Sequence, residues 1–212
     1  MALRSPFLAL LVALLMPVGA MAQSPTALVG PTALNPADST VIEDATVVME
    51  GTEITAVGPS SAVEVPEEAT VYEMPNRFVM PGLVDGHVHF FQSGGLYTRP
   101  DVIDLRDARP YAEELRRIKE RLPDTFRRYL RSGVTSVVDV GGPMWNLDVR
   151  ARADTTARAP TVVTAGPLIS SVSRPSLDLG DPPILQITTP EAARQEGREQ
   201  VAAGVDTVTP WY

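Results

Sequence analysis

The sequence predicts an α/β protein in which a small antiparallel β unit precedes a parallel sheet with helices. Between residues 27 and 80, short apolar runs separated by turn-forming residues indicate strands, and no helical period is present. After Pro81 and Gly82 the pattern changes to strands that alternate with helices, which is typical of parallel βαβ units. The two histidines of the chain, His87 and His89, end the first strand of this second part. We therefore expect a functional site at that strand end.

The composition is that of an ordinary globular chain. It has 212 residues, of which 44% are hydrophobic and 21% are charged. The formal net charge of -8 argues against a nucleic acid partner, because the phosphate backbone selects basic surfaces. The chain has no cysteine, so disulfides, thiolate nucleophiles and cysteine-bound zinc are excluded.

Residues 1–22 have the three-part layout of a secretory signal peptide. A positive charge, Arg4, precedes the apolar run 7–16, and the small residues Ala20 and Ala22 stand where a signal peptidase would cleave. The alternatives are a buried core helix and an uncleaved anchor, but the apolar run is shorter than the about 20 residues that a membrane span needs. We therefore expect cleavage near Ala22 and a periplasmic or secreted mature protein without a stable membrane anchor.

The segment 23–81 is predicted to form an N-terminal β domain. Its short apolar or alternating runs indicate an antiparallel unit of roughly five strands. The clearest runs lie at 46–49, 54–57, 70–72 and 78–80. Glu50 and Gly51 predict a tight hairpin turn between the first two of these runs.

The segment 82–212 is predicted to begin with a strand at 83–89, followed by two helices. Apolar residues recur at spacings of four, three and four along 111–122, which indicates an amphipathic helix. Asp124 is expected to cap a second helix, which ends at Gly133.

The rest of the chain repeats this alternation. The predicted elements are a strand at 134–140, a helix at 146–153, a strand at 161–165, a helix at 190–203 and a strand at 205–208. Thr188 and Glu191 have the spacing of a capping box, and Gly204 is expected to stop the last helix. The loop 166–188 is long and follows a strand, where the active-site loops of α/β enzymes lie.

His87 and His89 are the candidate metal ligands. Side chains two residues apart on a strand point to the same face, so the two imidazoles are expected to converge. Converging imidazoles bind zinc or another divalent transition metal, but zinc commonly takes three protein ligands, so two histidines alone form a weak chelate. The alternative is a pair of partly buried polar residues in a sheet. Asp85 and Asp139 are candidates for hydrogen bonds to a ligand histidine or for substrate contact, and the alternative for both is a solvated strand-end carboxylate.

Four segments of the chain resemble the amidohydrolase superfamily. They are a hairpin at 45–59, a Pro-Gly turn with a His-x-His strand at 79–89, a match to the second barrel strand at 133–142 and a match to the fourth at 203–208. Within the superfamily, the chain is similar to the branch that contains imidazolonepropionase and Xaa-Pro dipeptidases. The matching segments stand in the family's order and cover nearly all of the expected mature chain.

The resemblance implies a β-sandwich beside a (β/α)8 barrel of the TIM type, with a metal site at the carboxyl ends of the barrel strands. His87 and His89 match the metal ligands that the family carries on its first barrel strand. The family's metal, usually zinc, activates water for attack on a C–N bond. The implied function is therefore a metal-dependent amidohydrolase that acts on a small-molecule or dipeptide amide or cyclic amide.

Two features depart from the family pattern. Two-metal members carry a lysine at the fourth strand, where this chain has Thr209, whereas one-metal members dispense with that lysine. The segment from Gly82 to Tyr212 has about 130 residues, and a (β/α)8 barrel takes about 250. We therefore expect about the first four strands of a barrel, in an N-terminal fragment that is inactive alone.

The sequence leaves a second hypothesis open. The chain would then be a catalytically inactive exported binding module, in which a homo-oligomer such as a dimer closes the sheet. Coding sequence beyond residue 212 for the family's other histidines and aspartate would favour the enzyme, and a clean terminator would favour the module. No catalytic residue is assigned from the sequence. Within the hydrolase hypothesis, dipeptidase-like activity is preferred.

Overall fold

The structure is a computed structural model that describes residues 24–92 and 106–211. The predicted signal peptide, 1–22, lies outside these ranges. The chain divides between Pro81 and Gly82 into two compact units.

The described part of the first unit consists of seven strands. They are β1 (Thr26–Val29), β2 (Thr32–Asn35), β3 (Thr40–Ile42), β4 (Ala45–Glu50), β5 (Glu53–Pro59), β6 (Thr70–Glu73) and β7 (Phe78–Val79). One sheet has the strand order β5-β4-β1-β6 and the other the order β3-β2-β7. Most of the buried apolar side chains belong to β1 and β4 and include Ala27, Val47 and Val48, and β2 adds Ala33.

The antiparallel unit expected from the sequence is only part of what the structure contains. The β4–β5 hairpin is present, and Gly51 takes a φ of 60° in its turn, as the Glu50-Gly51 pair predicted. However, β1 pairs with β6 and β2 pairs with β7 in parallel. These pairings join segments that are far apart in the chain, so no local turn pattern predicts them.

The second unit alternates strands with helices. Its elements are β8 (Leu83–Val88), α1 (Tyr111–Arg131), β9 (Val134–Asp139), α2 (Asn146–Ala153), β10 (Thr161–Thr164), β11 (Leu168–Ser170), β12 (Ile184–Gln186) and α3 (Pro190–Ala202). Strands β8, β9 and β10 form a parallel sheet of order β10-β9-β8. This arrangement confirms the mixed α/β class, while closure into a barrel and packing of the first unit as a sandwich stay predictions.

The structure has one long helix where the sequence predicted two. Helix α1 continues through Pro123, and Asp124 lies inside it rather than at a cap. Leu122 and Phe126 on either side of the proline are 2% and 1% exposed, so burial of this apolar face holds the helix together across the missing N–H. Gly133 follows its end with a φ of 79°, as expected for a helix stop.

The hydrophobic core of the second unit lies between helices α1 and α2 and the parallel sheet. Phe90, Phe126, Val137, Val149 and Val162 are its main buried side chains. The Phe90 ring meets Phe126 edge to face, with centroids 6.1 Å apart. This packing fixes the end of β8, where Phe90 directly follows His89.

Three further predictions are corrected in detail. The fourth strand, predicted at 205–208, is represented by two isolated parallel bridges, Ala165 to Thr207 and Ile169 to Pro210. The 166–188 segment, predicted as a loop, contains the parallel pair β11–β12. Thr189 rather than Thr188 caps α3, because its side chain accepts a hydrogen bond from Ala192 N.

None of the helices in the described ranges is both long enough and apolar enough to cross a lipid bilayer.

Candidate functional site

The carboxyl ends of the three parallel strands bring the predicted site residues to one edge of the sheet. His87 lies in β8 and His89 one residue beyond its end, while Asp139 is the last residue of β9. The β8–β9 pairing continues through a hydrogen bond from Val140 N to Val88 O. Gly141 N–H and carbonyl therefore stand beside the end of β8.

The two imidazoles converge, as alternation along a strand predicted. Their ring centroids are 5.3 Å apart and the ring planes make an angle of 85°. With zinc–nitrogen bonds of about 2.1 Å, two imidazoles that bind one ion at a tetrahedral angle have centroids about 5 Å apart. His87 is exposed and His89 is half-buried. The pair thus has the spacing and the accessibility of two ligands of one divalent ion.

A hydrogen bond sets the orientation of the His89 ring. His89 Nδ1 lies 2.7 Å from the carbonyl oxygen of Gly141, and a carbonyl only accepts, so Nδ1 carries the proton. Nε2 of the neutral ring then keeps a free lone pair, which is the state that a metal ligand requires. Burial lowers the pKa of His89, the nearby His87 adds to this effect, and the Gly141 carbonyl opposes it. The net result favours the neutral ligand form.

Gly141 is at a position that only glycine fits well. Its φ is 133°, and a side chain there would place Cβ 3.0 Å from the carbonyl oxygen of Gly166. Gly142 N in turn donates to that same oxygen over 3.2 Å. The ends of β9 and β10 are thus joined directly, and this junction fixes the carbonyl that orients His89.

Asp139 binds the backbone on both sides of the hydrogen bond between His89 and Gly141. Its carboxylate, which is 0% exposed, accepts hydrogen bonds from Phe90 N over 3.4 Å and from Gly141 N over 3.3 Å. Phe90 directly follows His89, and Gly141 supplies the carbonyl that binds the His89 ring. The solvated strand-end alternative for Asp139 is wrong, because this carboxylate is completely buried.

A side-chain amide completes the surroundings of Asp139. Asn146 Nδ2 donates to Asp139 Oδ2 over 2.8 Å, and Asn146 Oδ1 is buried without a partner among the described residues. Burial raises the pKa of Asp139 to about 7, although the N–H groups of Gly141 and Phe90 oppose this rise. A half-turn of the Asn146 amide would offer its free oxygen to a protonated Asp139.

Asp85 lies on the strand near His87 but does not bind either imidazole ring in this structure. Its Oδ1 accepts a hydrogen bond from the backbone N of His87 over 3.2 Å. Burial raises the pKa of Tyr129, and the negative charges of Asp85 and Asp139 add to that rise. Asp85 is therefore close to the site, while a role toward substrate stays a prediction.

Within residues 24–92 and 106–211, no group of three or more histidine or acidic side chains is arranged to hold a metal ion. The two imidazoles are nitrogen donors of the kind that zinc binds, and a zinc site commonly takes three protein ligands.

A cavity of about 360 Å³ opens beside His89. Its walls come from the residues after β8, from strands β11 and β12 and from the last described residues. The lining side chains are His89, Phe91, Gln92, Leu168, Arg174, Leu177, Pro183, Ile184 and Trp211. Most of the lining side chains are therefore apolar, and the others carry one imidazole, one amide and one guanidinium.

Sequence reasoning missed Arg174 and Trp211. The guanidinium carbon of Arg174 lies 5.1 Å from the centroid of the Trp211 ring, within the range of a cation–π interaction. The signal available in the sequence was the position of Arg174 in the segment after the third strand of the sheet. Trp211 carried no such signal, because its approach depends on the bridge between Ile169 and Pro210.

Comparison with known proteins identifies the family of the chain. The model of the amidohydrolase family matches residues 78–208, which is more than half of the chain. No curated protein matches the chain.

Solved structures show a similar fold. A prolidase in complex with N-methylphosphonate-L-proline is 22% identical, with a TM-score of 0.67, over 88% of this chain and 46% of the prolidase. Molinate hydrolase is 23% identical, with a TM-score of 0.65, over 88% of this chain and 44% of that protein. A Xaa-Pro dipeptidase with methionine in its active site is 18% identical, with a TM-score of 0.62, over 87% and 46% of the two chains.

The chain spans less than half the length of each of these three structures. At these identities the likenesses establish the fold, and the family model adds the relationship over the strands that carry the two histidines. The chain belongs to the amidohydrolase family.

Proposed function

We propose that this chain supplies part of the active site of a metal-dependent hydrolase that cleaves a C–N bond in a small amide. The observation that carries the proposal is the His87–His89 pair, whose ring centroids are 5.3 Å apart at a strand end. In the proposal both rings bind one divalent ion, and zinc fits their nitrogen donors. Activity is proposed for the whole protein, which contributes the ligands that the described residues do not provide.

Each described group of the site has a defined task. His87 and His89 would hold the ion, and the Gly141 carbonyl keeps the proton of His89 on Nδ1, which leaves the Nε2 lone pair free for a metal. Asp139 keeps Phe90 and Gly141 in place on either side of that ring. When bound, a divalent ion supplies Lewis acidity toward an amide carbonyl and makes water a stronger nucleophile near neutral pH.

The cavity beside His89 is the proposed place for the substrate. Its apolar lining side chains would contact the apolar part of the bound amide, and His89 would lie at one side of the ligand. We propose a dipeptide-like substrate, since a prolidase and a Xaa-Pro dipeptidase share this fold. Molinate hydrolase also has this fold, so the fold by itself does not select the dipeptide.

Metal titration tests the proposal. Zinc or cobalt(II) is titrated into the purified chain by calorimetry, and the imidazole signals are followed by NMR. The chain has two histidines, so the spectrum contains two imidazole spin systems, which single substitutions assign. Both rings are expected to shift together on binding, and His87→Ala or His89→Ala should each weaken binding by about tenfold or more.

An exposed carboxylate away from the site provides the control. Glu113→Gln on helix α1 should leave zinc binding unchanged. If zinc binds equally well after both histidine substitutions, the imidazoles are not the ligands and the proposal fails. If the intact chain binds no divalent ion, the inactive binding module becomes the better account of this chain.

A further inference from the structure

Among the described residues that line the cavity beside His89, Arg174 is the one with a full charge. The remaining lining residues are apolar or neutral, apart from the titratable imidazole of His89. Among the described residues no carboxylate lines the cavity, and none of the ion pairs between them includes Arg174. Arg174 is exposed to solvent, and a guanidinium without a carboxylate partner attracts an anion from solution.

The contact between Arg174 and Trp211 leaves the donors of the guanidinium available. A cation–π interaction uses the charge of the group and the face of the indole ring, and it consumes no N–H donor. The indole also restricts the long arginine side chain, which reduces the entropy lost when a ligand binds. A planar fork of N–H donors matches a carboxylate in a bidentate manner.

We infer that Arg174 binds the carboxylate of the ligand, so that the cavity takes amides of amino acids with a free carboxylate. N-acyl amino acids and dipeptides belong to this class. The carboxylate meets Arg174, the apolar side chain packs on Leu168 and Ile184, and the amide carbonyl lies toward His89. This assignment rests on the proposed function for the fate of the amide, whereas the binding of the carboxylate rests on the cavity alone.

The size and the polarity of the cavity agree with this class. A volume of about 360 Å³ lies at the small end of the range of about 300–1,000 Å³ that is typical of small-molecule sites. It therefore suits one or two amino acid residues rather than a long peptide. Neutral amides of the same shape cannot form the charge-assisted pair with Arg174, so they are expected to bind more weakly.

Calorimetry with matched ligands tests the inference on the intact chain in the presence of EDTA. The probes are N-acetyl-L-leucine, its neutral analogue N-acetyl-L-leucinamide, and inorganic phosphate. The acid is expected to bind about tenfold more tightly than the amide. Arg174→Gln should remove this preference by weakening the acid alone, and Arg174→Lys should retain part of it, because lysine keeps the charge but loses the fork.

Arg116→Gln is the matched control. Arg116 is an exposed arginine on helix α1 that pairs with Glu120 and does not line the cavity, so its loss should leave both affinities unchanged. Equal binding of acid and amide, an unchanged preference in Arg174→Gln, or no measurable binding of the acid would each overturn the inference. Phosphate binding as tight as that of the acid would also overturn it, because the cavity would then be a general anion site.

The two proposals fail separately. Loss of zinc binding in the intact chain removes the hydrolase proposal but leaves the preference for the acid, which is measured without metal. Conversely, zinc binding by His87 and His89 with equal affinities for acid and amide keeps the hydrolase proposal and removes the carboxylate site.

Discussion

Substitution of Asp139 by asparagine is expected to change how the stability of the protein depends on pH. The wild-type carboxyl is fully buried, and burial raises its pKa from 3.8 to about 7. Asparagine has nearly the same shape and never ionises. The variant therefore resembles the protonated form of Asp139 at every pH.

The sign and the size of the effect follow from linkage. Between pH 3.8 and about 7 the folded state binds the Asp139 proton while the unfolded state has released it, so the free energy of unfolding falls as the pH rises. The stability contributed by protonated Asp139 is fully present below pH 3.8 and is lost as the pH passes about 7. Each pKa unit is worth about 1.4 kcal/mol, so the complete loss is about 4 kcal/mol.

Urea unfolding measures this loss in EDTA, so that no divalent ion alters the protonation of the site. Between about pH 5 and about pH 8, the unfolding free energy of the wild type should fall by about 3 kcal/mol relative to Asp139→Asn. Comparison of the two proteins cancels the opposite contribution of His89, whose lowered pKa makes stability fall as the pH drops. Asp154→Asn, which removes an exposed carboxyl, is the control and should match the wild type. Parallel pH profiles of the wild type and Asp139→Asn would refute this account of the buried carboxyl.

Three further predictions concern the core and the ligand pair. Phe126→Ala, which empties the 1% exposed position beside Pro123, should lower the unfolding free energy by about 3–5 kcal/mol in urea titrations, and an effect below 1 kcal/mol would contradict the continuous packing of α1. Nitrogen-15 NMR of the metal-free chain should show neutral His89 protonated on Nδ1, and protonation on Nε2 would show that the Gly141 hydrogen bond is absent in solution. Gly141→Ala should weaken zinc binding by about 10- to 100-fold in calorimetry, because it displaces the carbonyl that orients His89, and an unchanged affinity would contradict that role.

Local sequence patterns predicted the secondary structure correctly where neighbouring residues alone determine it. Helix α2 has the bounds that its sequence predicted, and the Glu50-Gly51 hairpin forms as expected. Local rules failed where burial competed with them. The helix through Pro123 is the clearest case, since the apolar contacts of Leu122 and Phe126 outweigh the loss of one backbone hydrogen bond.

The predicted fourth strand failed for a different reason. Apolar β-branched residues at 205–208 favour extended structure, and Asp206 N does bond to Thr164 O. Asp206 is also held by Arg150, with 2.7 Å between Arg150 Nη1 and Asp206 Oδ2. The segment therefore forms only isolated parallel bridges and no continuous strand pairing. Such pairing depends on partners that the local sequence does not specify.

The alternation of strands with helices in the second unit and the proximity of His87 and His89 were determined by the sequence by itself, because both depend on the short periods of strands and helices. Only the tertiary structure decided which groups surround the pair. The Gly141 carbonyl lies 52 residues from His89 in the chain, and Arg174 meets Trp211 through the path of the last described segment. Contacts of this kind depend on how distant segments pack, and packing leaves no period in the sequence from which to predict them.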